Sequence, residues 1–175
     1  MKLLVPLMFL ALATPAVHAE AFDREHQIKA AFIGQFVKFI EWPDLGPAKS
    51  NFVIGIYRAD SFGSSIEDAL AGKVVAGHPI VVEHIHSDAE IRHCRLVVSG
   101  CGSEERIASL SKLGAATHTV LVGETEDFAK FGGVIGLVVV PPNVRFEVNL
   151  VAARRAGVAV SSKLLSLAKV VYKEP

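Results

Sequence analysis

Residues 96–122, LVVSGCGSEERIASLSKLGAATHTVLV, contain the pattern that decides the fold. Leu96–Ser99 is a short apolar run typical of a buried strand, and Ser103 can cap a helix whose first turn holds two acidic residues. A second apolar run, Thr119–Val122, follows that helix. A strand, a helix and another strand in this order predict two parallel strands joined by a helix, which is the basic unit of an α/β domain.

The same alternation extends to both sides of this unit. Upstream, the pattern predicts helix, strand, short helix and strand over residues 23–41, 52–57, 61–71 and 79–85. Downstream, it predicts a short helix at 126–131, an antiparallel hairpin of 134–140 with 144–148, a brief helix capped by Asn149, and a last helix from Ser161 or Ser162 whose apolar stripe reaches Tyr172. The chain is therefore predicted to be one domain, a three-layer α/β sandwich with a largely parallel mixed sheet and one antiparallel hairpin.

The first 19 residues predict a signal peptide that is cleaved. A basic start at Lys2 precedes an apolar run, Leu3–Ala13, which is too short to span a bilayer. Val17 and Ala19 fit the positions that a signal peptidase reads, and a lone N-terminal anchor is the alternative. We expect an exported protein of the Gram-negative periplasm, with residues 20–175 as its single domain.

The charges balance overall but not along the chain. With 18 Lys and Arg against 18 Asp and Glu, and a pI near 7.1, nothing favours nucleic acid as a partner. Residues 145–175 hold six basic and two acidic side chains, whereas residues 20–144 hold 11 basic and 16 acidic ones. This asymmetry either steers an acidic partner or reflects a solvated basic face.

The sequence contains no convincing catalytic or nucleotide-binding motif. The glycine-rich loop of residues 99–103 lies between a predicted strand and a predicted helix, but Glu105 stands where a dinucleotide-binding motif needs a third glycine. The two carboxylates in the first turn would also occupy the helix end that a phosphate needs. We therefore expect neither enzymatic activity nor a cofactor.

His84, His86, His93 and Cys94 are weak candidates for a metal site. His84 and His86 lie two residues apart, so both face the same side of a strand, and imidazole with thiolate suits zinc or copper. Their spacing matches no established zinc motif, and solvated histidines near a strand end are the alternative. The prediction is that no metal binds.

Cys94 and Cys101 are the two cysteines of the chain. The predicted strand Leu96–Ser99 separates them and puts their Cα atoms roughly 20 Å apart, whereas a disulfide needs less than about 7 Å. We therefore expect no disulfide between them, with Cys94 buried and Cys101 more accessible.

Several segments together resemble a known family. In chain order they are Ala30-Ala31-Phe32, Lys38–Pro43, Phe52–Tyr57, Leu70–Lys73, His93-Cys94, Asp127–Ala129, Gly132–Leu137, Arg145–Leu150, Ala152–Val158 and Ser161–Leu165. With them the chain resembles the YfiR family of exported bacterial proteins over nearly its whole mature length. The C-terminal segments are the most specific part of the resemblance.

This resemblance implies a small periplasmic regulator. The best-known family member restrains an inner-membrane diguanylate cyclase by binding its periplasmic domain, and an outer-membrane-associated partner relieves the restraint by sequestering the regulator. The resemblance therefore implies a negative regulator that lowers cyclic-di-GMP output, and with it biofilm formation. A periplasmic small-ligand-binding module and a metal-dependent enzyme are the alternatives from other classes, and a homodimer remains open.

Four residues are candidates for partner contacts, namely Trp42, Arg154, Arg155 and Lys163. Tryptophan and arginine dominate the energetics of protein interfaces. For Trp42 the alternative is a residue that closes the core over the first strand. For the two arginines the alternative is that they stabilise the end of a helix just before Gly157.

Overall fold

A computed structural model of the chain describes residues 16–43, 45–47 and 50–174. In these residues the helices are α1 (Ala16–Phe39), α2 (Ser65–Leu70), α3 (Asp88–Ile91), α4 (Glu104–Thr117), α5 (Leu150–Arg155) and α6 (Ser162–Leu165). The strands are β1 (Ile40–Glu41), β2 (Phe52–Tyr57), β3 (Val74–Val75), β4 (His78–Ile85), β5 (Leu96–Ser99), β6 (Val120–Gly123), β7 (Ile135–Val140), β8 (Asn143–Asn149), β9 (Ala159–Val160) and β10 (Val170–Tyr172). A single 3-10 turn, Asp60–Phe62, precedes α2 in this part of the chain.

Eight strands of the described residues form one mixed sheet in the order β10-β8-β7-β6-β5-β2-β4-β3. The pairs from β4 through β2, β5 and β6 to β7 are parallel, as is β8 with β10. The β7–β8 hairpin and the short β3–β4 pair are antiparallel. Separately, β1 and β9 form an antiparallel pair in which Ile40 lies opposite Val160. Because parallel strands need crossover connections, the helices cover the sheet.

The core lies on both faces of this sheet. In β5, Leu96 and Val98 point into the cluster that contains residues of α1, α2, α5 and α6, while Val97 points into the cluster of α3 and α4. On the first face the rings of Phe36 and Phe146 meet edge-on, with their centres 5.1 Å apart. This arrangement confirms the predicted three-layer α/β sandwich.

Most predicted elements are present with nearly the predicted bounds. β2 and β5 match residue for residue, and the β7–β8 hairpin is antiparallel as expected. Ser103 caps α4 by accepting a hydrogen bond from the backbone N–H of Arg106 at 3.3 Å. Asn149 caps α5 in the same way, from the N–H of Ala152 at 2.9 Å.

The predicted short helix at 126–131 is wrong, because this segment is a series of turns. Asp127 has a φ of +57°, which no right-handed helix allows. The ring of Phe128 packs so closely on Gly123 and Gly133 that a Cβ at either glycine would lie 2.3 or 2.1 Å from it. Tertiary packing of one aromatic ring therefore overrides the local helical preference.

The predicted last helix is also wrong beyond Leu165. Residues Val170–Tyr172 form strand β10, which runs parallel to β8, and the Lys169 N–H donates to the Phe146 carbonyl at 2.7 Å. A Val-Val-Tyr run fits a strand by itself, and β8 offers it hydrogen-bonding groups. The pairing with β8 therefore outweighs the helical spacing of the apolar residues.

Most of the predicted signal peptide, residues 1–19, lies outside the described residues, and α1 begins at Ala16. The cleavage position and the domain boundary at residue 20 therefore stay predictions. In the part of the chain that the structure describes, no helix combines the length and the apolar character that a bilayer crossing requires.

Candidate functional site

Trp42 follows β1 directly, just after the end of α1. Its indole N–H donates to the Val37 carbonyl at 2.9 Å, which satisfies one of the carbonyls that the end of a helix leaves unpaired. Its ring meets Phe52 edge-on, with the ring centres 4.8 Å apart. The residue is half-buried. Trp42 thus helps to close the core and also presents a fixed aromatic surface to solvent.

Two adjoining depressions flank Trp42. The first, of about 360 Å³, is lined by Glu41, Trp42, Pro43, Arg154, Gly157, Val158 and Ala159. We call these residues the Trp42 surface. The second, of about 270 Å³, is lined by Trp42, Pro43, Arg95, His118, Ala156, Gly157 and Val158.

Gly157 shapes the Trp42 surface through its backbone. It has a φ of +77°, and a Cβ there would lie 2.9 Å from Nδ1 of His118. A glycine is therefore required where the chain leaves α5 and turns into β9. The Ser161 N–H then donates to the Phe39 carbonyl at 3.0 Å, which fixes this connection to the end of α1.

The structure brings Trp42 and Arg154 together but places the other two partner-binding candidates elsewhere. Arg155 lines a different groove, beside α4, because successive side chains of a helix point in different directions. Lys163 is exposed, with its ammonium 5.2 Å from the centre of an aromatic ring of α1. The role of all four in partner binding stays a prediction.

The four metal-site candidates do not form a common site. Nε2 of His84 lies 2.7 Å from Oε1 of Glu67, and both His86 and His93 are exposed. Cys94 is 2% exposed, and burial, with a smaller contribution from two nearby carboxylates, raises the pKa of its thiol to about 11. The described residues include no group of three His, Cys, Asp or Glu placed to hold a metal ion.

Both cysteines are free thiols, and both are buried. Cys101 was expected to be more accessible than Cys94, but the difference is small, because 6% of Cys101 and 2% of Cys94 are exposed. Thr125 holds the loop in place by donating its hydroxyl to the Cys101 carbonyl at 2.6 Å. The Cys101 side chain packs in the same cluster as Ile107 and Leu110 of α4. The sequence could not show this burial, because the loop that contains Cys101 is polar.

An ionic cluster that was not predicted, with Lys29 buried at its centre, connects α1 to the loop after β6. The ammonium of Lys29 lies 2.6 Å from a carboxylate oxygen of Glu25 and 2.8 Å from one of Glu124, which also accepts a hydrogen bond from Ser61 at 2.7 Å. Burial by itself would raise the pKa of Glu124, but the hydrogen bonds from Lys29 and Ser61 outweigh it and hold this pKa below its ordinary value. The one signal in the sequence is the four-residue spacing of Glu25 and Lys29.

A second polar cluster links α3 and α4 over the end of β2. The Arg106 guanidinium donates to both carboxylate oxygens of Asp88 and to the hydroxyl of Tyr57. The hydrogen bonds from Arg106 lower the pKa of Asp88. Each group in this cluster is satisfied by another, so the arrangement fits a structural clamp.

The crevice at the carboxyl ends of β2 and β5 is closed. Strand order reverses between these two strands, and α/β folds commonly bind ligands at such a position. Here the Gly100 N–H donates to the Tyr57 carbonyl at 3.0 Å, and a Cβ at Gly100 would lie 1.9 Å from the Arg58 carbonyl oxygen. The two loops are therefore in direct contact at this position.

The fold defines a single-domain α/β protein in which the Trp42 surface combines a half-buried indole with the exposed side chain of Arg154. A family model described as YfiR/HmsC-like matches residues 26–169, and the chain belongs to this family. The family resemblance found in the sequence is therefore confirmed. This family is regulatory, and at the level of the family it is associated with periplasmic regulation of cyclic-di-GMP signalling.

Two solved bacterial structures match the chain at low sequence identity. A conserved domain protein from Vibrio cholerae O1 biovar El Tor has a TM-score of 0.54 and 12% identity, covering 83% of this chain and 60% of that one. The ABC domain in complex with L-Trp from Streptococcus pneumonia has a TM-score of 0.48 and 12% identity, covering 68% and 54%. The chain spans between half and two thirds of the length of these proteins, and the Vibrio cholerae protein shows the α/β fold alone.

Proposed function

We propose that this protein is a periplasmic negative regulator that binds the periplasmic domain of an inner-membrane diguanylate cyclase and so lowers cyclic-di-GMP output. The observation that carries the proposal is the YfiR/HmsC-like match over residues 26–169. The regulator acts by binding: it holds the external domain of its target in the inactive state, because it binds that state more tightly than the active one. An outer-membrane-associated partner that occupies the same surface then removes the restraint.

The Trp42 surface supports a direct contact with the target. The indole N–H of Trp42 is already satisfied within the chain, and its ring is held against Phe52, so binding orders little that is mobile. The guanidinium of Arg154 donates to the Lys173 carbonyl at 3.2 Å. A guanidinium has five N–H donors, so others stay free for a carboxylate of the target.

Restraint of the target requires a large difference between the affinities of the regulator for its inactive and active states. Changing a target from 1% to 99% inactive takes about a 10⁴-fold preference for the inactive state, or about 5.5 kcal/mol. A few central hot-spot residues that each contribute at least about 2 kcal/mol can supply this preference. Trp42 and Arg154 are the residues of the Trp42 surface with the chemistry to do so.

A genetic complementation experiment tests the proposal. Deletion of the gene is expected to raise intracellular cyclic-di-GMP, and the wild-type copy is expected to restore the low level. Arg154→Glu should fail to restore it, whereas Arg145→Glu, an equal change of charge at an exposed position of β8, should restore it fully. A deletion that leaves cyclic-di-GMP, motility and adhesion unchanged would refute the proposal.

Photo-crosslinking in cells tests the surface separately. A photoreactive amino acid at Glu41, an exposed member of the Trp42 surface, is expected to capture an inner-membrane protein. The same amino acid at Glu83, exposed on β4 and outside the Trp42 surface, is expected to capture none. Capture from Glu83 alone would mean that the target binds a different surface.

One observation favours a small-ligand-binding role as the second candidate. A depression of about 490 Å³ lies between α1 and the loop after β2, with hydroxyl groups of Ser61, Ser64 and Ser65 in its lining. Its size is within the range of small-molecule sites. A thermal-shift screen of periplasmic solutes tests this role, because a ligand that binds the folded state raises the melting temperature.

A further inference from the structure

A groove of about 380 Å³ lies between α4, the turn before β7, and α5. It is separate from the Trp42 surface, although α5 contributes to both. Four charged side chains line it, one acidic and three basic, namely Glu104, Lys112, Lys130 and Arg155. The groove therefore carries a net positive charge.

Two of these cations are available for a partner. Among the described residues, neither Lys112 nor Arg155 has an ion-pair partner, and both are exposed. Lys130 lies 3.1 Å from a carboxylate oxygen of Asp127, but both side chains are about half exposed. Such an exposed pair contributes little to stability, so Lys130 can leave Asp127 and pair with a carboxylate of a partner.

The wall of the groove is rigid beneath these charges. The side-chain amide of Asn149 makes two hydrogen bonds. Its NH2 group donates to the Ala129 carbonyl at 2.8 Å, and its oxygen accepts from the Ala152 N–H at 2.9 Å. Gly132 packs so closely on α4 that a Cβ there would lie 2.8 Å from Oγ of Ser111. The backbones that carry the cations are therefore held at fixed positions relative to one another.

We propose that this basic groove binds an extended acidic segment of a partner protein. Charge complementarity selects this occupant, since three cations from three separate chain segments can each meet a different carboxylate, and the planar fork of Arg155 can hold one of them in a bidentate pair. The proposal rests on the proposed function only in taking a protein as the occupant. It places acidic partner segments on both sides of α5, opposite Arg154 and opposite Arg155.

A binding experiment with a defined probe tests the groove in vitro. The purified full chain is titrated against a fluorescein-labelled octaglutamate peptide at low salt, and binding is followed by fluorescence anisotropy. The charge reversal Lys112→Glu with Arg155→Glu is expected to weaken binding about tenfold or more, because two exposed attractive contacts become repulsive. The matched control is Arg92→Glu with Arg145→Glu, which removes the same charge at exposed positions outside the groove and is expected to change affinity less than about twofold.

The outcomes separate the alternatives. If both double variants weaken peptide binding equally, the attraction depends on net charge alone and the proposed binding in the groove is refuted. A wild-type protein that does not bind the peptide would also refute it. Displacement of the peptide by inorganic pyrophosphate at a lower concentration than by unlabelled octaglutamate would assign the groove to a small anion instead. The milder pair Lys112→Ala with Arg155→Ala should weaken binding to an intermediate degree, which guards against a folding defect in the reversed variant. None of these readouts depends on cyclic-di-GMP, so the groove and the proposed function can fail independently.

Discussion

The ion pair of Lys29 with Glu124 should be a major determinant of stability. The two side chains come from α1 and from the loop after β6, and they are only 6% and 20% exposed. At 2.8 Å and an effective dielectric constant of about 20, the gross attraction is about 6 kcal/mol. Desolvation of the two ions offsets several kcal/mol of it, which leaves about 2 kcal/mol of net coupling.

A double-mutant cycle measures this coupling. Lys29→Met alone should lower the free energy of unfolding by about 3 kcal/mol, because it leaves the Glu124 carboxylate poorly solvated and without its partner. Adding Glu124→Gln should recover part of that loss. The matched control is the exposed pair Lys130→Met with Asp127→Asn, whose coupling is expected to be below about 1 kcal/mol. Urea denaturation of all variants gives the free energies.

The pH dependence gives an independent test. The pKa of Glu124 in the folded protein lies below its ordinary value of 4.5, so its stabilisation is fully present above pH 4.5 and is lost as the pH falls through the lowered pKa. The pKa of Lys29 is raised above 10.5, because its hydrogen bonds to Glu124 and Glu25 outweigh the opposing effect of burial. That contribution is present below pH 10.5 and is lost at higher pH. A coupling free energy no larger than that of the exposed pair would refute the reasoning. So would a Lys29→Met variant whose free energy of unfolding falls below pH 4.5 as steeply as that of the wild type.

Three further predictions concern packing and the thiols. Gly157→Ala should destabilise the fold by about 1–2 kcal/mol in urea, because it forces an alanine to a φ of +77° against His118. Phe128→Ala should cost about 3–5 kcal/mol in the same assay, because it empties a site where the ring is only 1% exposed. Cys94 and Cys101 should react with a thiol reagent at pH 8 only after the protein is unfolded, since both are buried and the pKa of Cys94 is about 11; prompt labelling of the native protein would contradict the burial of these side chains.

Local patterns predicted the strands that are buried on both faces. β2 is apolar along its whole length and β5 is apolar except for its last residue, Ser99, because each face meets a core cluster. Their sequences are therefore distinctive, and their bounds were predicted residue for residue. The caps of α4 and α5 were predicted for a similar reason. A side-chain oxygen of Ser103 or Asn149 acts on an N–H only three residues away, and so the whole interaction is visible in the sequence.

The candidate site was predicted only in part. Trp42 and Arg154 were singled out by residue type, but their proximity depends on the β1–β9 pair, which joins segments far apart in the chain. The same limit explains why Arg155 was grouped with Arg154, although it lines the basic groove with Lys112.

The amino-acid sequence by itself determined the α/β class, the order of most elements and the family, because hydrophobic period, capping and motif order are properties of neighbouring residues. Only the tertiary structure decided that Val170–Tyr172 is a strand, that Cys101 is buried, and that Lys29 meets Glu124 across 95 residues of chain. In each of these cases the deciding free energy comes from a group distant in sequence: an open edge of β8, a helix above a polar loop, or an opposite charge. Such contributions exist only once the sheet has brought the segments together, and no local pattern encodes them.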